Sequence, residues 1–135
     1  MTTTDGKDLC LEATQFSPAV RTDWQKGLIQ MSGESYPENT YEFFSDIITW
    51  LEAFLGQSTQ PLLMELQLSY LNTSSIRAMI DLFDILQEAS DDGREVRVSW
   101  LYDSRNPRAS ELGEEFKEDY SFPLDRKSTR LNSSH

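Results

Sequence analysis

Two stretches in which every second residue is apolar, with a helical stretch between them, limit what this chain can fold into more than any other feature. In Leu62-Leu63-Met64-Glu65-Leu66-Gln67-Leu68-Ser69-Tyr70 the even positions are apolar and the odd ones mostly polar, and Glu95 to Tyr102 repeats the pattern. A period of two predicts strands with one buried face and one wetter face. Between them, Ser74 to Ser90 places Ile76, Met79, Ile80, Phe83 and Leu86 at helical spacing, with Arg77, Asp81, Asp84 and Glu88 on the opposite stripe. Asp92-Gly93 ends that helix with a turn. A strand–helix–strand unit of this kind is a right-handed crossover joining two parallel strands. Strands buried on both faces would be continuously apolar, so alternation predicts helices mainly on one face of a mixed α/β sheet.

The remaining elements extend the unit. Thr40 to Leu55 is a second amphipathic helix, with Phe44, Ile47, Ile48, Leu51, Phe54 and Leu55 inward. Ala19 to Trp24 and Leu28 to Ser32, flanking Gln25-Lys26-Gly27, read as a β-hairpin. Leu9 to Leu11 reads as a short edge strand, with Cys10 between two leucines as a buried thiol. Ser110 to Asp119 is an acidic helix, followed by the apolar Phe122-Pro123-Leu124. With 135 residues, three Trp, five Tyr and seven Phe, the chain suits one domain with one core. The last ten residues, 126–135, break with what precedes them and resemble sequencing-adapter read-through. They are set aside as a non-native tail, leaving a domain of residues 1–125.

Charge narrows the partners. The chain carries 12 basic and 23 acidic residues, a net charge of −11. Without the tail, nine basic residues face 23 acids, or −14. Such a surface repels phosphate backbones and anionic lipid, which argues against nucleic acid and membrane and for proteins with basic patches. No stretch approaches the ~20 apolar residues of a bilayer span, and no apolar leader follows Met1, so the expected compartment is the cytoplasm. The lone Cys10 and the lone His135 supply neither a disulfide nor a zinc set nor a histidine base. Walker A, dinucleotide-binding and nucleophile-elbow motifs are absent, so no cofactor is expected.

Two local strings exceed their structural duties. Ser32-Gly33-Glu34-Ser35-Tyr36-Pro37-Glu38-Asn39 precedes the first long helix; Asn39 is placed to cap it, but capping does not account for Glu34 and Tyr36. Tyr70-Leu71-Asn72-Thr73-Ser74-Ser75 leads from a central strand into the crossover helix. One polar residue there suffices as a cap; Asn72, Thr73, Ser74 and Ser75 together are a surplus. A phosphate added to a hydroxyl at such a helix start adds about −1.5 to −2 charge without unfolding the helix.

These strings, with Phe43-Phe44, Trp50-Leu51, Val96 to Tyr102 and Leu112-Gly113-Glu114-Glu115-Phe116, resemble the SiaC family of bacterial regulatory phosphoproteins over about Ser17 to Leu124. The resemblance implies a STAS-like domain phosphorylated on Thr73 by a serine/threonine kinase and dephosphorylated by a PP2C-type phosphatase. It also implies that the unphosphorylated form binds and activates a diguanylate cyclase, raising cyclic di-GMP and promoting biofilm. Glu34, Tyr36, Asn39, Asn72, Ser74 and Ser75 are the expected partner-binding residues. The chain departs from the family pattern at Thr22, usually aromatic; at Asp46, usually Pro; and at Ile76-Arg77, usually Ser-Lys. Three other readings remain: a STAS-type antagonist of an anti-sigma factor, a small enzyme using Glu34 and Tyr36 as acid and base, and an adaptor indifferent to phosphate.

Overall fold

The computed structural model describes residues 8–129. Nine elements follow in chain order: β1 (Cys10–Leu11), β2 (Ala19–Asp23), β3 (Leu28–Ser35), α1 (Thr40–Gln57), β4 (Leu62–Leu71), α2 (Thr73–Asp91), β5 (Val96–Tyr102), α3 (Pro107–Asp119) and β6 (Leu124–Ser128). The six strands form one mixed sheet in sequence order, β1-β2-β3-β4-β5-β6. β1, β2 and β3 pair antiparallel; β3 to β6 run parallel. The three parallel steps advance in one direction across the sheet, and crossovers of one hand taken in one direction put their helices on one face. Burial agrees: Leu62, Met64, Leu66 and Leu68 of β4 and Val96, Val98 and Trp100 of β5 are buried, whereas Gln67, Ser69 and Arg97 are exposed. The core lies between this face and the inward stripes of α1 (Phe44, Ile47, Trp50, Leu51, Phe54) and α2 (Met79, Leu82, Phe83, Leu86). Among the described residues no helix is long and apolar enough to cross a membrane.

The alternation read from Leu62 to Tyr70 fails at Tyr70. Gly33 faces Leu68, but Glu34 faces Tyr70, so β4 carries one residue more than β3 at this point. Gly33, at φ 120°, supplies the backbone freedom for this bulge. The extra residue resets the phase: Tyr70 turns outward at 50% exposure and Leu71 turns into the core. Cys10 also reverses its expected place. It is exposed, while Leu9 and Leu11 on either side pack against the core.

Two contacts fix the ends of the layer. The Asp8 carboxylate accepts from Thr22 Oγ1 (3.1 Å), the Trp24 N–H (2.9 Å) and Trp50 Nε1 (3.2 Å). Thr22 Oγ1 in turn accepts the Leu9 N–H at 2.8 Å, so the departure at Thr22 is built into a polar clamp holding β1. At the other edge, β6 crosses the boundary drawn after Asp125 and pairs with β5 from Leu124 to Ser128. Arg126 bonds Glu114 at 2.8 Å and lies 5.9 Å from the Tyr102 ring centroid. Of the ten tail residues, 130–135 lie outside the described residues.

Candidate phosphorylation and docking site

The parallel strands β3, β4 and β5 end on the same edge of the sheet, and a helix starts after each. All three helices begin the same way. The side chains of Asn39, Asn72 and Asn106 accept the backbone N–H of Glu42 (3.0 Å), Ser75 (2.9 Å) and Ala109 (3.1 Å). Asparagine is a preferred N-cap because its side-chain oxygen satisfies an N–H that the first turn leaves unpaired. The edge therefore gathers the positive ends of three helix dipoles on a strongly acidic protein. Asn106 was not among the residues singled out from sequence, although Pro107 behind it, in the first turn of α3, is the usual companion of a helix start. Asn106 also donates from Nδ2 to the Ser69 carbonyl at 3.0 Å, tying the β5–α3 connection to the end of β4.

The hydroxyls of the Asn72–Ser75 string point in different directions. Thr73, the first residue of α2, is exposed, and its hydroxyl makes no hydrogen bond among the described residues. Ser74, also exposed, lies 2.8 Å from Thr40 Oγ1 and joins the starts of α2 and α1. Ser75 is fully buried, with its Oγ 2.8 Å from the equally buried Ser35 Oγ. The Asn72 N–H donates to the Ser35 carbonyl at 3.0 Å, completing this seam between β3 and α2. Ser75 thus belongs to the interior: helical phase sets it on the same stripe as Met79, Leu82 and Leu86, so it has no surface to offer a partner.

The bulge that turns Tyr70 outward, three residues before Thr73, sets it at the end of an aromatic row. Tyr36 packs edge-to-face between Phe16 (ring centroids 5.5 Å apart) and Tyr70 (5.7 Å). Phe16 and Tyr70 are each 50% exposed, and Tyr41 in the first turn of α1 is 84% exposed. Phe16 is held by a turn in which Thr14 Oγ1 accepts the N–H groups of Phe16 (3.0 Å) and Ser17 (2.9 Å), while its carbonyl accepts the Tyr36 N–H at 2.7 Å. Exposed aromatics with one polar end are favoured at protein interfaces. Glu34 and Asn39 are exposed on the same edge. Phe16 and Tyr41 escaped the sequence reading, since neither belongs to an apolar period; an aromatic stranded in a polar run was the only signal.

An acid–base pair of Glu34 and Tyr36 would have to share a cleft. Among the described residues, one surface cleft lies over β1–β4 near Cys10 and Arg21, another between the ends of α1 and α2 near Glu52 and Arg94, and another near Gln67 and Asn106. Neither residue lines any of them. Among the described residues no group of His, Cys, Asp or Glu is clustered to hold a metal ion.

Comparison with known proteins gives one consistent result. The family model described as SiaC family regulatory phosphoprotein matches residues 11–129. The chain is 53% identical over 117 residues to an uncharacterized protein of Pseudomonas aeruginosa (strain UCBPP-PA14), covering 87% of this chain and 93% of that protein. Its structure is similar to the crystal structure of apo-SiaC from Pseudomonas aeruginosa, with 51% identity, a TM-score of 0.86, and 89% and 98% of the two chains covered. It is equally similar to a chain of the crystal structure of the diguanylate cyclase SiaD in complex with its activator SiaC, from the same organism. There the identity is 51%, the TM-score 0.87, and the coverage 90% and 99%. The chain belongs to the SiaC family of regulatory phosphoproteins.

Proposed function

We propose that this chain is a non-enzymatic phospho-switch of the cytoplasm, phosphorylated on Thr73, whose unphosphorylated form binds and activates a diguanylate cyclase and so controls cyclic di-GMP and biofilm formation. A serine/threonine kinase transfers the γ-phosphoryl group of its bound ATP to Thr73 Oγ1, releasing ADP and the hydroxyl proton. A PP2C-type phosphatase hydrolyses the ester and restores the hydroxyl. The observation that carries this reading is the exposed Thr73 hydroxyl at the head of α2, which makes no hydrogen bond among the described residues. It stands in a chain 51% identical to a SiaC solved with the cyclase it activates.

Docking on this edge uses Tyr36 with its neighbours Phe16 and Tyr70, the exposed Glu34, and the polar rim of Asn39, Asn72 and Ser74. A phosphate on Thr73 would add a charge of about −1.5 to −2 to the edge at the head of α2. A partner covering it would have to strip its water or meet it with matching cations, so the modification acts on binding, not on the fold.

Titration calorimetry with the cognate cyclase tests the reading. Thr73→Asp is expected to weaken binding by at least ~1.4 kcal/mol, about tenfold, while Thr73→Ala binds as the unmodified chain does. Equal affinities of the two variants would refute the switch.

A further inference from the structure

Helix α2 contains one basic residue, Arg77, four positions after Thr73. At about 100° per residue, Thr73, Arg77, Asp81 and Asp84 fall on one stripe of the helix, and all four are exposed. Among the described residues the Arg77 guanidinium makes no hydrogen bond and no ion pair. Other arginines are already engaged: Arg94 with the carbonyls of Leu55, Ser58 and Gln60, Arg105 with Asp103, and Arg126 with Glu114.

Three physical arguments direct Arg77 towards Thr73. Long side chains on a helix lean back over the turn nearer its N-terminus, which for position 77 is the turn that begins with Thr73. Pairs at i and i+4 are neighbours, and an acid preceding a base is the better order. A phosphate on Thr73 has that order with Arg77, whereas Asp81, four residues further on, has the reverse. The other acid on the stripe, Asp84, already accepts the Tyr120 hydroxyl at 2.8 Å. Finally, the planar fork of an arginine matches the oxygens of a phosphate in a way a carboxylate further along the helix cannot exceed. The remaining charges on this edge are Glu34 at the end of β3, Glu38 and Glu42 at the start of α1, the Asp103–Arg105 pair, and Arg108 in the first turn of α3.

We infer that Arg77 is an intramolecular phosphate-binding residue, closing on the Thr73 phosphate and holding it along the exposed stripe of α2. The inference rests on Thr73 being the modified residue and adds what the modified state looks like. A phosphate held this way is fixed in one place on the docking edge, so a partner meets an ordered anion.

The test uses the full chain with phosphothreonine installed at position 73 by an expanded genetic code, so that it does not depend on the kinase. Phosphorus NMR follows the second ionisation of the phosphate, ordinarily near pH ~6. In Arg77→Gln it is expected to rise by about 0.3–0.7 pH unit relative to the parent chain, the size of an exposed ion pair. Arg77→Lys, which keeps the charge and loses the fork, should fall between the two. Superimposable titrations of the parent and Arg77→Gln, with both folded by circular dichroism, would overturn the clamp. In parallel, the unmodified chain is incubated with the cognate kinase and ATP and its phosphate mapped by mass spectrometry. Phosphate elsewhere than Thr73 would overturn the switch, and with it any role for Arg77 in the cell, whatever the NMR shows.

Discussion

The buried hydroxyl pair of Ser35 and Ser75 can be taken apart one oxygen at a time. Ser35 closes β3 and Ser75 lies in the first turn of α2; both are fully buried, and their Oγ atoms are 2.8 Å apart. Ser75→Ala removes one partner and leaves the Ser35 hydroxyl enclosed without it. The lost bond and the stranded polar group together cost ~1–3 kcal/mol. A few tenths return because alanine is the better helix former, so a value of about 2 kcal/mol is expected. Ser35→Ala should cost about the same, by the mirror-image argument. Removing both hydroxyls strands nothing, so the double variant should lose only about 1–2 kcal/mol, well short of the ~4 that independent sites would give. The coupling of about 2 kcal/mol would then measure the seam between β3 and α2. Urea unfolding followed by the fluorescence of the buried Trp50 and Trp100 reads all four proteins. A double variant equal to the sum of the singles, within ~0.4 kcal/mol, would show that the two oxygens do not depend on each other and refute the reasoning.

Two further substitutions test how the layer is held. A Cβ at Gly113 would lie 2.6 Å from Nε1 and 2.9 Å from Cγ of Trp100, a fully buried ring pinned by its bond to the Ala109 carbonyl at 2.9 Å. The ring cannot yield, so the overpacking cost of ~1–3 kcal/mol outweighs the ~1 kcal/mol gained by replacing a helical glycine, and Gly113→Ala should lower the melting temperature by a few degrees. Tyr120 donates to Asp84 at 2.8 Å, and its pKa is raised, first by burial and then by that hydrogen bond and charge. Its protonated form is therefore favoured in the folded chain: this contribution is intact below the unfolded value of about 10 and is lost as pH rises above it. Urea titrations should show a fall in stability above pH ~10 that is smaller in Tyr120→Phe; identical alkaline profiles would rule the contact out as a source of stability.

The core and the order of elements were legible because each carries its own period. β4, α2 and β5 could be assigned from apolar spacing alone, and the one-sided helix layer followed from strands that alternate. What escaped were properties of pairs of segments. The bulge that turns Tyr70 out and Leu71 in exists only because β3 is one residue shorter than β4 there, and no spacing within β4 reports it. β6, Leu-Asp-Arg-Lys-Ser, has one buried apolar residue and is a strand because the edge of β5 offers it hydrogen bonds. Cys10 failed for the same reason, since a two-residue edge strand is too short for its neighbours to fix its phase. Ser75 is different: its spacing of four, seven and eleven to Met79, Leu82 and Leu86 was there to be read. Extending the apolar stripe of α2 back into the polar string would have separated it from Thr73.

The choice of caps on this edge fits the phosphate proposed for Thr73 in a chain this acidic. Asp and Asn are equally good N-caps, and the chain has 23 acidic residues to draw on. Yet all three helices that start on this edge are capped by asparagine, and the first turns of α2 and α3 contain no acid. An aspartate at position 72 would cap α2 as well and would set a second anion against any phosphate on Thr73, opposing the modification by like-charge repulsion. With asparagine, the cap satisfies the Ser75 N–H and leaves the positive end of α2 unneutralised. A phosphate on Thr73 would then arrive at a locally favourable place on an otherwise repelling surface. The energy of the proposed switch would thereby be kept out of the fold: the helix would tolerate either state, and the difference between them would be felt by whatever docks on the edge.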